Sequence, residues 1–197
     1  MQAQETPNPL SLKFLIPGGA TRGEYLSFFS AQEVKHFPVL KEILELPGVE
    51  HIFLAPDFMT VTRKEETPWS LLQSIILCVL QHYKQSFPLE NITSSNSFVE
   101  TPETHIQYTE DERAIVEEIE TLIATRVRPN VEADGGTIQF AYMVNGIVYV
   151  RLEGACAGCP HSSQTLTYGI ENLLKYYIPE VQRVEAVTDD MVSVAQY

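Results

Sequence analysis

The sequence predicts an α+β protein built from two small domains that are joined by a flexible linker. Residues 86–108 are dominated by Ser, Thr, Asn and Pro and keep no hydrophobic period, which is typical of a linker. Before this stretch, strand-like runs are mixed with helical stripes, and after it the predicted order is α-β-β-α-β. A length of 197 residues suits two such units. We therefore expect domains at 1–88 and 109–197, with the linker at 89–108.

The first half of the chain mixes strand patterns with two amphipathic helices. The strand patterns are short apolar-rich runs, and the helices repeat their apolar residues near a period of 3.6. Pro47 and Gly48 end the first helix, and Pro68 lies near the start of the second. Strands are expected at 11–16, 24–29, 49–54 and 58–62, and helices at 34–46 and 69–85.

The second half begins with a helix signal and contains a clear hairpin. Thr109 and Glu112 have the spacing of a capping box, and the acidic residues there suit the positive end of a helix dipole. Asn145 and Gly146 form the dipeptide that favours a type I′ hairpin turn. The expected elements are a helix from 110 to about 128, strands at 137–144 and 147–152, a helix at 163–177 and a strand at 184–187.

Composition excludes several classes of partner. Acidic residues outnumber basic ones by 26 to 13, so the formal net charge is −13, which argues against nucleic acid and anionic membrane surfaces as partners. Three cysteines are too few for a secreted disulfide scaffold and favour a reducing compartment. The apolar run at 70–80 is too short to span a membrane, and residues 1–10 carry no basic targeting signal. We expect a cytoplasmic protein, or one of the mitochondrial matrix if this is a cleaved mature form.

The sharpest chemical feature is a C-x-x-C motif between the hairpin and the last helix. Cys156 and Cys159 lie three residues apart in the stretch EGACAGCPHSS at 153–163. The small residues around them let the backbone curl around an ion, and the helix start that Pro160 marks favours thiolates. Thiolates are the form of cysteine that binds metal. The motif therefore predicts a metal-binding or redox-active site.

Three kinds of site share this motif. A redox dithiol is expected in a thioredoxin-like βαβ unit, whereas this pair follows a β-hairpin. A zinc site needs two further ligands, for which His161 is the nearest candidate in the sequence. The third cysteine, Cys78, falls among apolar residues of a helix and is expected in the core. An iron–sulfur cluster takes four thiolates, which two chains supply together, so a cluster favours a two-fold dimer.

A second small-residue stretch precedes the hairpin. Asp134, Gly135 and Gly136 are residue types that turns demand, so a plain turn is favoured over a direct role beside the cysteines. The sequence shows no Gly-rich phosphate loop, Ser–His–Asp set or paired carboxylates that would indicate an enzyme.

Several stretches of the chain match the pattern of one protein family. Residues 127–136 read VRPNVEADGG and residues 154–160 read GACAGCP. The opening has TPNP at 6–9, followed by LKF at 12–14. In this order they resemble the C-terminal domain and the N-terminal module of the NifU/Nfu family of iron–sulfur cluster scaffold and carrier proteins. The cysteine-rich middle region of the longer nitrogen-fixation scaffolds is absent, so the resemblance is to the shorter, housekeeping type.

The resemblance implies that Cys156 and Cys159 ligate a cluster of the [4Fe–4S] type, shared between the two subunits of a homodimer. It implies a carrier rather than an enzyme, which acts between upstream cluster-assembly proteins and apo iron–sulfur client proteins. It gives the N-terminal module no metal ligands and a docking or modulating role. Two thiolates per chain also suit a [2Fe–2S] cluster, and a thiol–disulfide oxidoreductase using the same pair is the alternative function.

Overall fold

The computed structural model of the chain describes residues 1–89, 106, 108–157 and 160–187, with the backbone alone at 160–164. It contains two β-sheets with helices, and each sheet has a buried apolar cluster of its own. The predicted α+β class with two domains is therefore confirmed. The predicted linker at 89–108 lies almost entirely outside the described residues, so its flexibility and the two domain boundaries stay predictions.

The N-terminal domain is a five-stranded antiparallel sheet with two helices. Its elements are β1 Gln2–Glu5, β2 Ser11–Leu15, β3 Leu26–Phe28, α1 Pro38–Leu44, β4 Val49–Leu54, β5 Phe58–Arg63 and α2 Trp69–His82. The strands lie in the order β1-β2-β5-β4-β3. This order places β5, the last strand of this domain, in the middle of the sheet.

Three parts of this domain differ from the prediction. Strand β1 is formed by its pairing with β2 at the edge of the sheet, and its mostly exposed residues carry no apolar alternation that could reveal it. Helix α1 begins at Pro38 rather than at residue 34, because proline fits the first turn of a helix. Helix α2 ends at His82, and a separate 3-10 turn follows at Lys84–Ser86.

The prediction that Cys78 lies in the core is wrong. Helix α2 buries Leu72, Ile76, Val79 and Leu80 against the sheet. Cys78 is exposed instead, on the side of the helix that also exposes Leu71 and Ile75. Each step along a helix turns by about 100°, so a residue next to a buried one can face solvent even within an apolar run.

The C-terminal domain has a three-stranded sheet and the predicted α-β-β-α-β order. Its elements are α3 Glu110–Leu122, a π-helical turn Ile123–Val127, α4 Arg128–Ala133, β6 Gly136–Val144, β7 Ile147–Gly154, α5 Pro160–Tyr177 and β8 Arg183–Ala186. Strands β6 and β7 are antiparallel, and β8 lies parallel to β7. In the part of the chain that the structure describes, no helix is long and apolar enough to cross a membrane.

The local signals of this domain are confirmed, but its first helical segment continues past the predicted end at about residue 128. Thr109 and Glu112 form the capping box, and Asn145 and Gly146 have positive φ angles of 50° and 76°, as a type I′ turn requires. Pro129 does not end the helical segment. It lies in the first turn of α4, where a proline costs no hydrogen bond, so the helical path continues to Ala133.

The N-terminal sheet buries both of its faces. One face packs against α1 and α2 through alternate strand residues, which are Leu12, Phe14, Leu26, Phe28, Ile52, Leu54, Met59 and Val61. On the other face, Lys13, Thr60, Phe53 and Ser27 stand opposite one another on four neighbouring strands and are all buried. We call these four residues the cross-strand row. Its side chains meet the C-terminal domain.

His51 is a buried titratable group within this first domain. Its side chain is 7% exposed, lies 4.4 Å from the ring of Phe29 between centroids, and its Nε2 has no hydrogen-bond partner among the described residues. Burial lowers the pKa of the imidazole from 6.5 to about 4. Between these two pH values the unfolded chain therefore binds the proton more readily than the folded chain.

We expect the N-terminal domain to lose about 3 kcal/mol of unfolding free energy as the pH falls from 6.5 to about 4. The loss occurs because protonating His51 favours the unfolded state. Urea titrations followed by the fluorescence of Trp69, the single tryptophan, measure it. The His51→Leu variant should lack this part of the pH dependence, whereas a variant of the exposed His82, His82→Gln, should keep it. Parallel pH profiles for the wild type and His51→Leu would contradict the prediction.

Candidate functional site

The C-x-x-C motif begins in a turn at the end of strand β7. Gly154 ends the strand with a positive φ of 70°, and the amide of Ala157 donates to the carbonyl oxygen of Gly154 at 3.1 Å. Helix α5 begins at Pro160. Cys159 lies outside the described residues, so the prediction that it is a second ligand remains a proposal. We call residues 153–157 the cysteine loop.

Cys156 is buried against the start of strand β6. It is 8% exposed and belongs to the apolar cluster of the C-terminal domain. A Cβ atom built on Gly136 would lie 2.8 Å from the Cys156 Sγ and 2.6 Å from the carbonyl oxygen of Glu153. A glycine at position 136 is therefore what makes room for the thiol.

The glycine pair at 135 and 136 is more than the plain turn that the sequence favours. Gly135 has a φ of 83°, which agrees with a turn. Gly136, however, lies directly against the Cys156 side chain. The contact is formed by the register of β6 with β7, in which Gly136 pairs with Gly154. A glycine pair placed before a hairpin that ends in a cysteine is the only trace of this contact in the sequence.

Residues of the N-terminal domain contact the backbone of the same loop. The side-chain amide of Asn8 donates to the carbonyl oxygen of Ala155 at 3.2 Å. The hydroxyl of Thr60 donates to the carbonyl oxygen of Gly135 at 2.6 Å. Phe53 packs so closely that a Cβ on Gly154 would lie 2.7 Å from its ring. The cysteine loop therefore has neighbours from both domains.

Three polar contacts surround these central ones. The Lys13 ammonium donates to the carbonyl oxygen of Glu132 at 2.6 Å, at the end of helix α4, where a positive charge suits the helix dipole. The Ser27 hydroxyl donates to the carboxylate of Glu153 at 2.7 Å, and the Tyr25 hydroxyl donates to that of Glu132. Sequence reasoning missed this set, because its partners lie more than a hundred residues apart.

The electrostatics of this region follow from burial. Burial lowers the pKa of the Lys13 ammonium, and the nearby carboxylates of Asp57, Glu132 and Asp134 oppose that shift. Burial and the hydrogen bond to Glu132 raise the pKa of Tyr25 to about 12. The Tyr25 hydroxyl therefore keeps its proton at neutral pH and acts as a donor. Within the described ranges, no three His, Cys, Asp or Glu side chains come together in a way that could hold a metal ion.

The fold and the position of the cysteine together define a class of protein. It is a two-domain α+β chain in which a cysteine at the end of a β-hairpin lies next to the sheet of the first domain. A family model described as "NifU-like domain" matches residues 119–185, and one described as "Scaffold protein Nfu/NifU N terminal" matches residues 1–86.

Relatives from animals match nearly the whole chain. The human protein named NFU1 iron-sulfur cluster scaffold homolog, mitochondrial, is 37% identical over 192 residues, which cover 96% of this chain and 72% of that protein. The proteins of the same name from Drosophila persimilis and Drosophila ananassae are each 37% identical over 96% of this chain, and the matches cover 66% and 64% of their lengths. The chain belongs to the Nfu/NifU family.

Two solved structures are similar to part of the chain. The solution structure of a NifU-like protein from Saccharomyces cerevisiae has 28% identity and a TM-score of 0.38, and the match covers 41% of this chain and 74% of that one. The crystal structure of protein SAV1430 from Staphylococcus aureus has 20% identity and a TM-score of 0.38, over 41% of this chain and 95% of that one.

Replacing Gly136 by alanine should destabilise the C-terminal domain by about 1–3 kcal/mol, because the added methyl group collides with the Cys156 sulfur and the Glu153 carbonyl oxygen. Urea unfolding followed by circular dichroism measures the change. The matched control is Gly169→Ala on helix α5, where a Cβ meets nothing within 4 Å. That variant should be neutral or slightly stabilising. Equal urea midpoints for Gly136→Ala and the wild type would refute the contact.

Proposed function

We propose that this chain is an iron–sulfur cluster scaffold and carrier that binds a [4Fe–4S] cluster between two subunits through Cys156 and Cys159. The observation that carries the proposal is the cysteine loop, where Cys156 lies at the end of a hairpin and the glycine at position 136 leaves room for its sulfur. The relatives named as iron–sulfur cluster scaffold homologs support the same function.

Ligand number supports a shared cluster. A cluster of the common types takes four thiolates, and the C-x-x-C motif supplies two in each chain. Two chains related by a two-fold axis would bring four thiolates to one cluster. The start of helix α5 at Pro160 would favour the negative charge of the thiolate-bound cluster.

Transfer to a client protein would be an exchange of ligands without a change in oxidation state. A thiolate of the apo-client would bond to an iron atom of the cluster as the bond from Cys156 or Cys159 to that iron breaks. Repeating this at each iron would move the cluster, and the thiolates left behind on the carrier could take up protons. The role is non-enzymatic, and the chain's partners would be upstream cluster-assembly proteins and apo iron–sulfur client proteins.

The chemistry of the two cysteines and the compartment of the protein each have an alternative. The same two cysteines would serve a thiol–disulfide oxidoreductase, which would act as a monomer without iron. The relatives named as mitochondrial favour the mitochondrial matrix over the cytoplasm as the compartment.

Anaerobic reconstitution with iron and sulfide should yield a dimer with about two irons per chain and the Mössbauer spectrum of a [4Fe–4S] cluster, because four thiolates hold four irons. Native mass spectrometry gives the subunit count. Cys156→Ala and Cys159→Ala should each lose the cluster and keep their circular dichroism spectra. Cys78→Ala is the matched control and should load as the wild type does, because Cys78 is exposed in the other domain.

Other outcomes would overturn the proposal. An iron-free monomer with a reversible disulfide between Cys156 and Cys159 would favour the oxidoreductase. Two irons per dimer with a [2Fe–2S] spectrum would correct the cluster type. Loss of the cluster in a folded Cys78→Ala variant would refute the ligand assignment.

A further inference from the structure

The cross-strand row matches the surface around the cysteine loop residue by residue. Lys13 donates a hydrogen bond to the carbonyl end of α4, and Thr60 donates one to the carbonyl oxygen of Gly135. Phe53 packs against Gly154, and Ser27 donates a hydrogen bond to the carboxylate of Glu153. These four contacts follow one another across four neighbouring strands. Three side chains in the row donate a hydrogen bond to the C-terminal domain, and the fourth packs on it.

The C-terminal domain supplies the hydrogen-bond acceptors for the buried polar residues of the cross-strand row. Lys13 is 7% exposed although it lies between Leu12 and Phe14, and Thr60 is fully buried. A buried ammonium or hydroxyl without a partner carries a large desolvation cost. The Glu132 and Gly135 carbonyl oxygens remove that cost. This face of the sheet is therefore an interaction surface, and its partner in the same chain is the cysteine loop together with residues 132–135.

The thiol of Cys156 is buried while its loop is in contact with the N-terminal domain. The backbone on the N-terminal side of Cys156 is fixed by Phe53 at Gly154 and by Asn8 at Ala155. The Cys156 sulfur points toward Gly136, and the whole residue is 8% exposed. A sulfur that bonds to an iron shared with a second subunit must face that subunit. The N-terminal domain contacts the three residues that precede Cys156, through Ser27, Phe53 and Asn8.

We propose that the cross-strand row is an intramolecular clamp that holds the cysteine loop closed, so that Cys156 becomes available only when the two domains separate. The clamp rests on the proposed function for its purpose, because it would shield the thiol of an empty carrier and yield when a cluster or a second subunit competes for the loop. The N-terminal domain thereby acts on the cysteine site without supplying a ligand to it.

The experiment measures how fast iodoacetamide alkylates Cys156 in the full-length, iron-free protein, with tandem mass spectrometry to locate each modified cysteine. Exposed Cys78 is the internal standard in the same sample. In the wild type, Cys156 should react at least about tenfold more slowly than Cys78, because a buried thiol reacts only from the open state. Comparable rates for the two cysteines would overturn the clamp.

The decisive pair of variants is Ser27→Asp and Ser27→Asn. The Asp side chain places a second carboxylate against Glu153, whereas Asn has nearly the same size and still offers a donor. Ser27→Asp should speed the alkylation of Cys156 by about tenfold, because the repulsion between two carboxylates in contact favours separation of the domains. Ser27→Asn should stay near the wild-type rate, and Cys78 should react equally in all three proteins.

A rescue and a second variant protect the test against simple unfolding. Adding Glu153→Gln to Ser27→Asp removes the repulsion and should slow the alkylation of Cys156 again. Thr60→Val keeps the side-chain shape but leaves the Gly135 carbonyl without its donor, and should speed the reaction by about fivefold. The fluorescence of Trp69 and the rate at Cys78 report whether the N-terminal domain of each variant is folded.

The outcomes separate the clamp from the proposed function. If Ser27→Asp and Thr60→Val are folded and leave Cys156 as slow as in the wild type, its own domain alone buries the thiol and the clamp is wrong. A working clamp in a protein that never takes up iron and sulfide would refute the carrier function and leave the clamp standing. If both hold, Ser27→Asp should also take up the cluster faster than Ser27→Asn.

Discussion

A buried lysine on strand β2 connects the sheet of the first domain to a helix of the second. Lys13 lies on β2 between two core residues, and its ammonium finds its acceptors at the carbonyl end of α4 in the other domain. Its nitrogen also lies 4.2 Å from the centroid of the Phe58 ring. A buried charge without partners is costly, so separating α4 from the sheet would require Lys13 to find other acceptors or solvent. The remaining residues of the cross-strand row lie beside Lys13 on the next three strands, and each of them also contacts the C-terminal domain.

Small residues and their neighbours build the site together. The antiparallel pairing of β6 and β7 brings Gly136 beside Gly154, and this leaves space for the Cys156 sulfur on one side and for the Phe53 ring on the other. A side chain at either glycine would push the cysteine loop or the first domain away. The two glycines therefore make room both for the thiol and for the contact between the domains, which is more than a turn requires.

A carrier must hold its cargo and also release it, and domain contacts offer a means to adjust both. If the closed form hides Cys156, the apparent affinity for a cluster is the intrinsic affinity multiplied by the open fraction. A few hydrogen bonds and one packed aromatic ring contribute a modest free energy, which the contacts of a partner or a second subunit can replace. The N-terminal domain then has a physical role in a protein whose proposed ligands all lie in the C-terminal domain.

By itself, the sequence determined the α+β class, the order of elements in the C-terminal domain, the capping box at Thr109, the Asn145-Gly146 turn and the family. The fold features depend on hydrophobic period and turn chemistry, which act over a few residues, and the family depends on the resemblance of a few short motifs. Only the tertiary structure decided that Cys78 faces solvent, that Gln2–Glu5 forms an edge strand and that Ser27 contacts Glu153. Each of these depends on contacts between residues that are far apart in the chain, and a local sequence pattern does not show which distant surfaces meet.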